Sequence, residues 1–215
     1  MINEIKYSNQ IILIGAGGHA HSLLQMQPRE IVHFWGYVAP ERANDLPLEY
    51  FGDDDEFRTT DFLCYALPQI HFAMIAGKSG DMSRRRHLIE QYIGSKAATL
   101  ISQSAIVTAN SHIGNGCAIM ERVIINGAHI GDYSVVNTGA IIEHQCHIGF
   151  NTFIGPGAVL CGEVQVGDNC YIGAGVNIAP GVHIVSDTII GIGSTVLHDI
   201  TEPGTYVGSP VHRVK

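Results

Sequence analysis

Aliphatic residues recur every six positions along the second half of this chain, and that period leaves few folds open. Counting from Ile124, they are Ile124, Ile130, Val136, Ile142, Ile148, Ile154, Leu160, Val166, Ile172, Ile178, Ile184, Ile190 and Val196. Four residues after each stands a small or β-branched residue, as in Ala128, Ser134, Ala140, Cys146, Thr152, Ala158 and Cys170. Glycine often follows the aliphatic residue directly, at Gly131, Gly149, Gly155, Gly167, Gly173 and Gly191. A weaker copy runs upstream through Ile101, Val107, Ile113 and Ile119, offset by one, so a slip is expected between Met120 and Val123. A helix repeats every 3.6 residues and a strand every two, so six fits neither. It fits a short strand followed by a tight bend, with one aliphatic side chain turned into a narrow axis and a small residue beside it. The glycines after the aliphatic residues are expected to supply the backbone angles of the corner. Three such sides close a coil of about 18 residues, and coils stack about 4.8 Å apart by parallel pairing. The expected fold is a parallel β-helix of hexapeptide repeats; a sandwich would space its strands by 8–12 residues.

Residues 1 to 97 lack the repeat. Gln10–Ile14 reads as a buried strand, followed by the tight loop Gly15-Ala16-Gly17-Gly18-His19-Ala20 and a short helix from His21 to Met26. Ile31–Val38 and Ile70–Ala76 read as further strands. Asp54–Tyr65 and Met82–Tyr92 read as helices, the latter turning Leu88, Ile89 and Tyr92 inward. This alternation implies a small parallel α/β, Rossmann-like domain over 1–97, ahead of a β-helix domain over 98–215. The glycine loop is close to a dinucleotide fingerprint, with Ala20 in the third glycine slot. NAD binding calls for an acid at the end of the second strand, where Val38-Ala39-Pro40 stands instead. The loop's backbone N–H groups then suit a phosphate or a sugar.

The formal net charge is -8, and Arg84-Arg85-Arg86 is an isolated basic run, so a nucleic-acid partner is not expected. No apolar run reaches the roughly 18 residues of a membrane span. The first ten residues do not read as a secretion signal. The five cysteines are expected to be reduced thiols in a cytoplasmic protein, with Cys146 and Cys170 packed inward.

The Gly15–Ala20 loop, the Glu143-His144-Gln145-Cys146 segment within the repeats and Tyr206-Val207-Gly208-Ser209-Pro210 near the end together resemble one bacterial family. It is the sialic acid O-acetyltransferase (NeuD-like) and UDP-4-amino-sugar N-acetyltransferase (PglD-like) family of the hexapeptide acyltransferases. The resemblance implies a left-handed β-helix and a homotrimer with sites between adjacent β-helices. It also implies acetyl-CoA as cosubstrate and a nucleotide sugar held by the small domain. Carried over by position, His144 is the general base, flanked by Glu143 and Gln145. Gly17, Gly18, His19 and Gly77 meet the nucleotide sugar. Phe153, Gly162, Gly173, Ala174 and Ile192 fall in the acetyl-CoA region. Gln145 stands where the family usually has an acid, Ala39-Pro40 where it has an acidic pair, and Phe153 where a histidine often contacts acetyl-CoA.

Acetyl transfer to an amine requires a base for the amine proton, and imidazole suits that task near neutrality. Gln145 can orient the ring but cannot stabilise imidazolium by charge. The repeat stacks Gly162 eighteen residues after His144 and Asn126 eighteen before it. The most direct reading is N-acetylation of a UDP-4-amino-4,6-dideoxy sugar for surface glycan synthesis, with O-acetylation of a sialic acid or similar sugar as its neighbour. His129, His147, Gln165 and His183 share a column, which opens a zinc hydratase of the carbonic anhydrase type as another reading. A trimeric scaffold that only senses a nucleotide is a further one. The acetyltransferase reading requires no metal.

Overall fold

A computed structural model describes residues 10–59, 69–74, 80–92 and 95–215. From Leu100 onward the chain winds as a left-handed parallel β-helix of about six turns. Its walls are three sheets of parallel, mostly two-residue strands, and the sheet that starts at Leu100–Ile101 ends in an antiparallel pair, Gly204–Gly208 with Val211–Arg213. Val135, Phe153, Tyr171 and Ile189 pair in turn, so one coil is 18 residues. The inward column from Ile130 to Val196 is fully or almost fully buried, and so are the small residues at the fourth position. Each buried Ile contributes about 1.5–3 kcal/mol. Two polar members of the small set are satisfied by bonding upward, while the buried Thr188 Oγ1 has no hydrogen-bond partner among the described residues. Ser134 Oγ donates to Gly149 O at 2.7 Å and Thr152 Oγ1 to Gly167 O at 2.8 Å. Cys146 and Cys170 pack inward as expected, and burial pushes their thiols up to about 11 and about 12.

Two expectations about the repeat are corrected. The slip lies at Asn126-Gly127-Ala128, not at 120–123. Ile125, 0% exposed, is the inward residue rather than Ile124, and Ile124 pairs with Ile141 across a coil of only 17 residues. The corner glycines also have a different task. Positive φ falls on the third residue after the aliphatic one, at Gly139, Gly157, Gly175 and Gly193, but also at Arg122, Tyr133, Gln145 and Asn151. The glycines directly after the aliphatic residue lie where coils touch. A Cβ on Gly131 would stand 2.7 Å from the Gly149 carbonyl carbon, and one on Gly155 2.6 Å from the Ala174 nitrogen.

The three walls differ in what they turn outward. The domain face, running from Leu100–Ile101 through Val135–Val136, Phe153–Ile154 and Tyr171–Ile172, carries the N-terminal domain. The aliphatic face turns out Ile106, Ile124, Ile141 and Val159, with Ile106 59% exposed. The histidine face turns out His112, His129, His147, Gln165 and His183.

The N-terminal sheet has four parallel strands, β1 (Gln10–Ile14), β2 (His33–Val38), β3 (Glu49–Tyr50) and β4 (Gln69–Phe72), in the order β3-β2-β1-β4. Its helices are α1 (Gly18–Gln25), α2 (Asp54–Thr59) and α3 (Ser83–Gln91). β3 is not visible in the sequence pattern, and α1 starts three residues earlier than expected. Leu88, Ile89 and Tyr92 do face inward. The rest of the helix expected to Tyr65, the end of the strand expected to Ala76, and Gly77 lie outside the described residues. The domain sits with Ile11, Leu13, Ala20 and Leu23 against Ala118, Val135 and Phe153. No helix among the described residues is long and apolar enough to cross a membrane.

Candidate active site

His144 occupies the corner between the aliphatic strand Ile141–Ile142 and the histidine-face strand His147–Ile148. Two hydrogen bonds fix its backbone. The Glu163 N–H donates to His144 O at 2.8 Å, and the Gln145 N–H donates to Gly127 O at 3.0 Å. Gln145 takes φ +60, the left-handed turn position of the corner. The imidazole lies directly against Gly162 in the next coil, where any Cβ would overlap its ring. Below, the corner is the one shortened by a residue, so Asn126 stacks under Glu143 and not under His144 as expected. The Asn126 amide donates to Glu143 Oε2 at 3.0 Å. A missing residue on one side and a glycine on the other leave the exposed ring room for a ligand.

His144 Nδ1 is 3.3 Å from Gln145 Oε1. An amide oxygen only accepts, so with the proton on Nδ1 this contact is a hydrogen bond from the ring to Gln145, and the Nε2 lone pair is left for a substrate proton. Glu143 is tied to Asn126 and not to the ring.

The nucleotide-type loop is placed by topology. The chain passes from β1 to β2 and β3 on one side and returns to β4 on the other. The crevice between the carboxyl ends of β1 and β4 is therefore a topological switch point, where α/β sheets bind ligands. Gly15–Gly17 follow β1 into this crevice and α1 begins at Gly18. Its N-cap, Gly17, makes no side-chain capping bond, and its first turn holds no acid. Those bare N–H groups and the helix dipole favour an anion. Gly17 and Gly18 are exposed, and a Cβ on either would meet nothing within 4 Å. His19 follows in the first turn of α1. Its ring turns inward, where Nδ1 accepts the Met74 N–H at 3.0 Å, joining the ends of β1 and β4. Burial, then His71 and Arg85, lower it to about 3. His71, likewise buried, directs Nδ1 to Ala98 O at 2.9 Å and is lowered to about 4, chiefly by burial.

The residues expected around acetyl-CoA separate into three places. Gly162 stacks on His144. Gly173, Ala174 and Ile192 form the corner between the domain and aliphatic faces, with Ile192 77% exposed. Phe153 is 6% exposed and stacks on Tyr171 at 4.9 Å beneath the N-terminal domain. It belongs to the core between domains. The His144 corner is the one opposite the domain face, so a single chain holds its imidazole and its Gly15–Gly18 loop on opposite sides of the prism.

The histidine column is longer than the sequence suggested, because the 17-residue coil brings His112 into it. Rings His112 and His129 stack at 4.6 Å, and His129 and His147 at 5.8 Å. Among the described residues, no group of three or more His, Cys, Asp or Glu side chains is arranged to hold a metal ion.

A family model described as bacterial transferase hexapeptide (six repeats) matches residues 145–180. PerB from Caulobacter crescentus, in complex with CoA and GDP-perosamine, is similar over 96% of this chain and 97% of its own. Its identity is 30% and its TM-score 0.79. The acetyltransferase domain of PglB from Neisseria gonorrhoeae, in complex with acetyl coenzyme A, shares the fold at 24% identity and TM-score 0.81, over 96% of this chain and 100% of its own. WeeI from Acinetobacter baumannii does so at 19% identity and TM-score 0.79, over 95% and 99%. Comparison with curated protein sequences finds no match.

Proposed function

The chain belongs to the hexapeptide-repeat sugar acetyltransferases, and from that premise we propose that it moves the acetyl group of acetyl-CoA onto the amine of a nucleotide-activated amino sugar. The observation that carries this reading is the pairing of a free imidazole nitrogen on an open β-helix corner with an uncapped helix N-terminus at a sheet switch point. The similarity to PerB, whose complex contains GDP-perosamine and CoA, supports the same chemistry.

In this mechanism the sugar nitrogen attacks the thioester carbonyl carbon as His144 Nε2 removes a proton from it. The C–N bond forms and the carbonyl electron pair moves onto oxygen, which the Gly162 N–H meets as donor. Collapse breaks the C–S bond, and the proton returns to the coenzyme A sulfur. Gln145 keeps the ring in the productive tautomer, and Glu143 is held by the Asn126 amide at the same corner. The diphosphate of the nucleotide lies on the N-terminus of α1, over Gly17 and Gly18; the family resemblance assigns Gly77 to the same ligand. Ala174 and Ile192 take the acetyl-CoA side. The setting is the cytoplasm, consistent with the free cysteines Cys117, Cys146, Cys161 and Cys170.

The working unit is a homotrimer. A closed ring joins two different patches of each copy. The aliphatic and histidine faces, neither with an acid or base longer than histidine on its outward strand positions, are the pair left uncovered by the N-terminal domain. A neighbouring copy is also what brings a nucleotide loop to the His144 corner. Sedimentation equilibrium is expected to give three times the 23.2 kDa chain mass. A monomer at micromolar concentration contradicts this part of the proposal.

Gly17→Val tests the nucleotide assignment with little risk to the fold, since a Cβ there meets no protein atom within 4 Å. The expected result is a KM for the nucleotide sugar raised by about tenfold or more, with the KM for acetyl-CoA near wild type. Equal changes in both constants would refute the placement.

A further inference from the structure

Arg85, in the middle of a run of three arginines, is 0% exposed. Burying a cation without an anion is costly, yet no carboxylate among the described residues pairs with it. Its donors go to four neutral oxygens on two bodies of the protein. On the N-terminal domain they reach Phe72 O at 3.2 Å and Ala73 O at 3.3 Å, at the carboxyl end of β4. On the β-helix they reach Tyr133 O at 2.7 Å and Asn151 Oδ1. Asn151 is itself buried and pinned, donating to Asn169 Oδ1 at 3.1 Å. One residue beyond Ala73, the Met74 N–H donates to His19 in the first turn of α1. A continuous set of hydrogen bonds thus runs from the β-helix corner through Arg85 and the end of β4 to the nucleotide loop.

We propose that Arg85 is a positioning residue for the nucleotide-sugar site. Its guanidinium fork fixes the β4 end, and through Met74 and His19 the N-terminus of α1, at one height on the β-helix. This rests on the function proposed above. The planar fork is the physical requirement: it satisfies carbonyls on both sides at once, which a lysine ammonium on a flexible stem does not. Arg85 touches neither substrate nor the reacting atoms.

The test compares Arg85→Lys, which keeps the charge and loses the fork, with Asn151→Gly, which removes an acceptor on the β-helix side and retains a residue suited to the φ of +50 found there. Hydrogen exchange and steady-state kinetics are read on both full-length variants. The expected exchange result is faster exchange in peptides covering 10–26 and 69–74, with peptides covering 153–200 unchanged. The expected kinetic result is a nucleotide-sugar KM raised about ten- to a hundredfold in Arg85→Lys and less in Asn151→Gly, with acetyl-CoA KM held within about twofold. Wild-type exchange in 10–26, or a wild-type nucleotide-sugar KM in Arg85→Lys, overturns the proposal. If no nucleotide sugar is turned over even by the wild-type protein, the functional reading fails, and the exchange result still decides whether Arg85 positions the loop.

Discussion

Replacing His144 with alanine is expected to lower kcat by about a hundred- to ten-thousandfold, the usual loss when a general base is removed. The KM for acetyl-CoA should change little, because in this mechanism the exposed ring takes the proton and does not hold the coenzyme. The corner itself should survive, since its backbone bonds come from Glu163 and Gln145 and not from the imidazole. The neighbouring residue gives a second reading of the same assignment. With Gln145 as an uncharged acceptor at 3.3 Å, nothing in that contact stabilises the protonated ring by charge. Gln145→Glu supplies a carboxylate there, which favours imidazolium. The imidazolium is the inactive form, so the ascending limb of the pH–rate profile moves to higher pH in this variant. A His144→Ala enzyme that keeps most of the wild-type rate at saturating substrates would remove the base from the mechanism.

The second large effect concerns stability. Gly155→Ala is expected to cost about 3 kcal/mol or more, because its Cβ would stand 2.6 Å from the Ala174 nitrogen and 2.6 Å from the Gly173 carbonyl carbon, both backbone atoms of the next coil. Neither can move without opening the ladder. Gly157→Ala, two residues on in the same corner, meets no atom within 4 Å and loses only what its φ of +65 demands, about 1–2 kcal/mol. The order of the two is the decisive point, and denaturant unfolding of both variants measures it. If Gly157→Ala were the more damaging, the roles given to the two glycine positions would be reversed.

These two glycines also illustrate how far the sequence can be read. The period of six identifies the β-helix, the inward column and the small residues beside it, because burial acts on every coil alike. It does not say which glycine bends the chain. Positive φ is shared by glycines and by residues such as Tyr133 and Gln145, so composition at that position carries no uniform signal. The slip is hard to place for a similar reason: Ile124 and Ile125 are both aliphatic, and only the pairing of Ile125 with Ile142 shows which one turns inward. That one-residue shift hides His112 from the histidine column and puts Asn126 under the wrong neighbour. At the candidate site, the 18-residue spacing correctly sets Gly162 against His144. The burial of Phe153 under the N-terminal domain is not legible in the repeat, because its outward position on the domain face is covered only once that domain packs there. Arg85 is illegible altogether, since an arginine between two others reads as solvated until its carbonyl partners are seen.

Acetyl transfer to a sugar nitrogen is tested most directly by incubating the protein with acetyl-CoA and a panel of UDP- and GDP-linked amino sugars, with mass spectrometry of the products. At least one amino sugar is expected to gain a single acetyl group through a bond that resists hydroxylamine, as an amide does, with release of one coenzyme A per product. Acetylation only as a hydroxylamine-labile ester, or coenzyme A release with no acetylated sugar in any reaction, would contradict it.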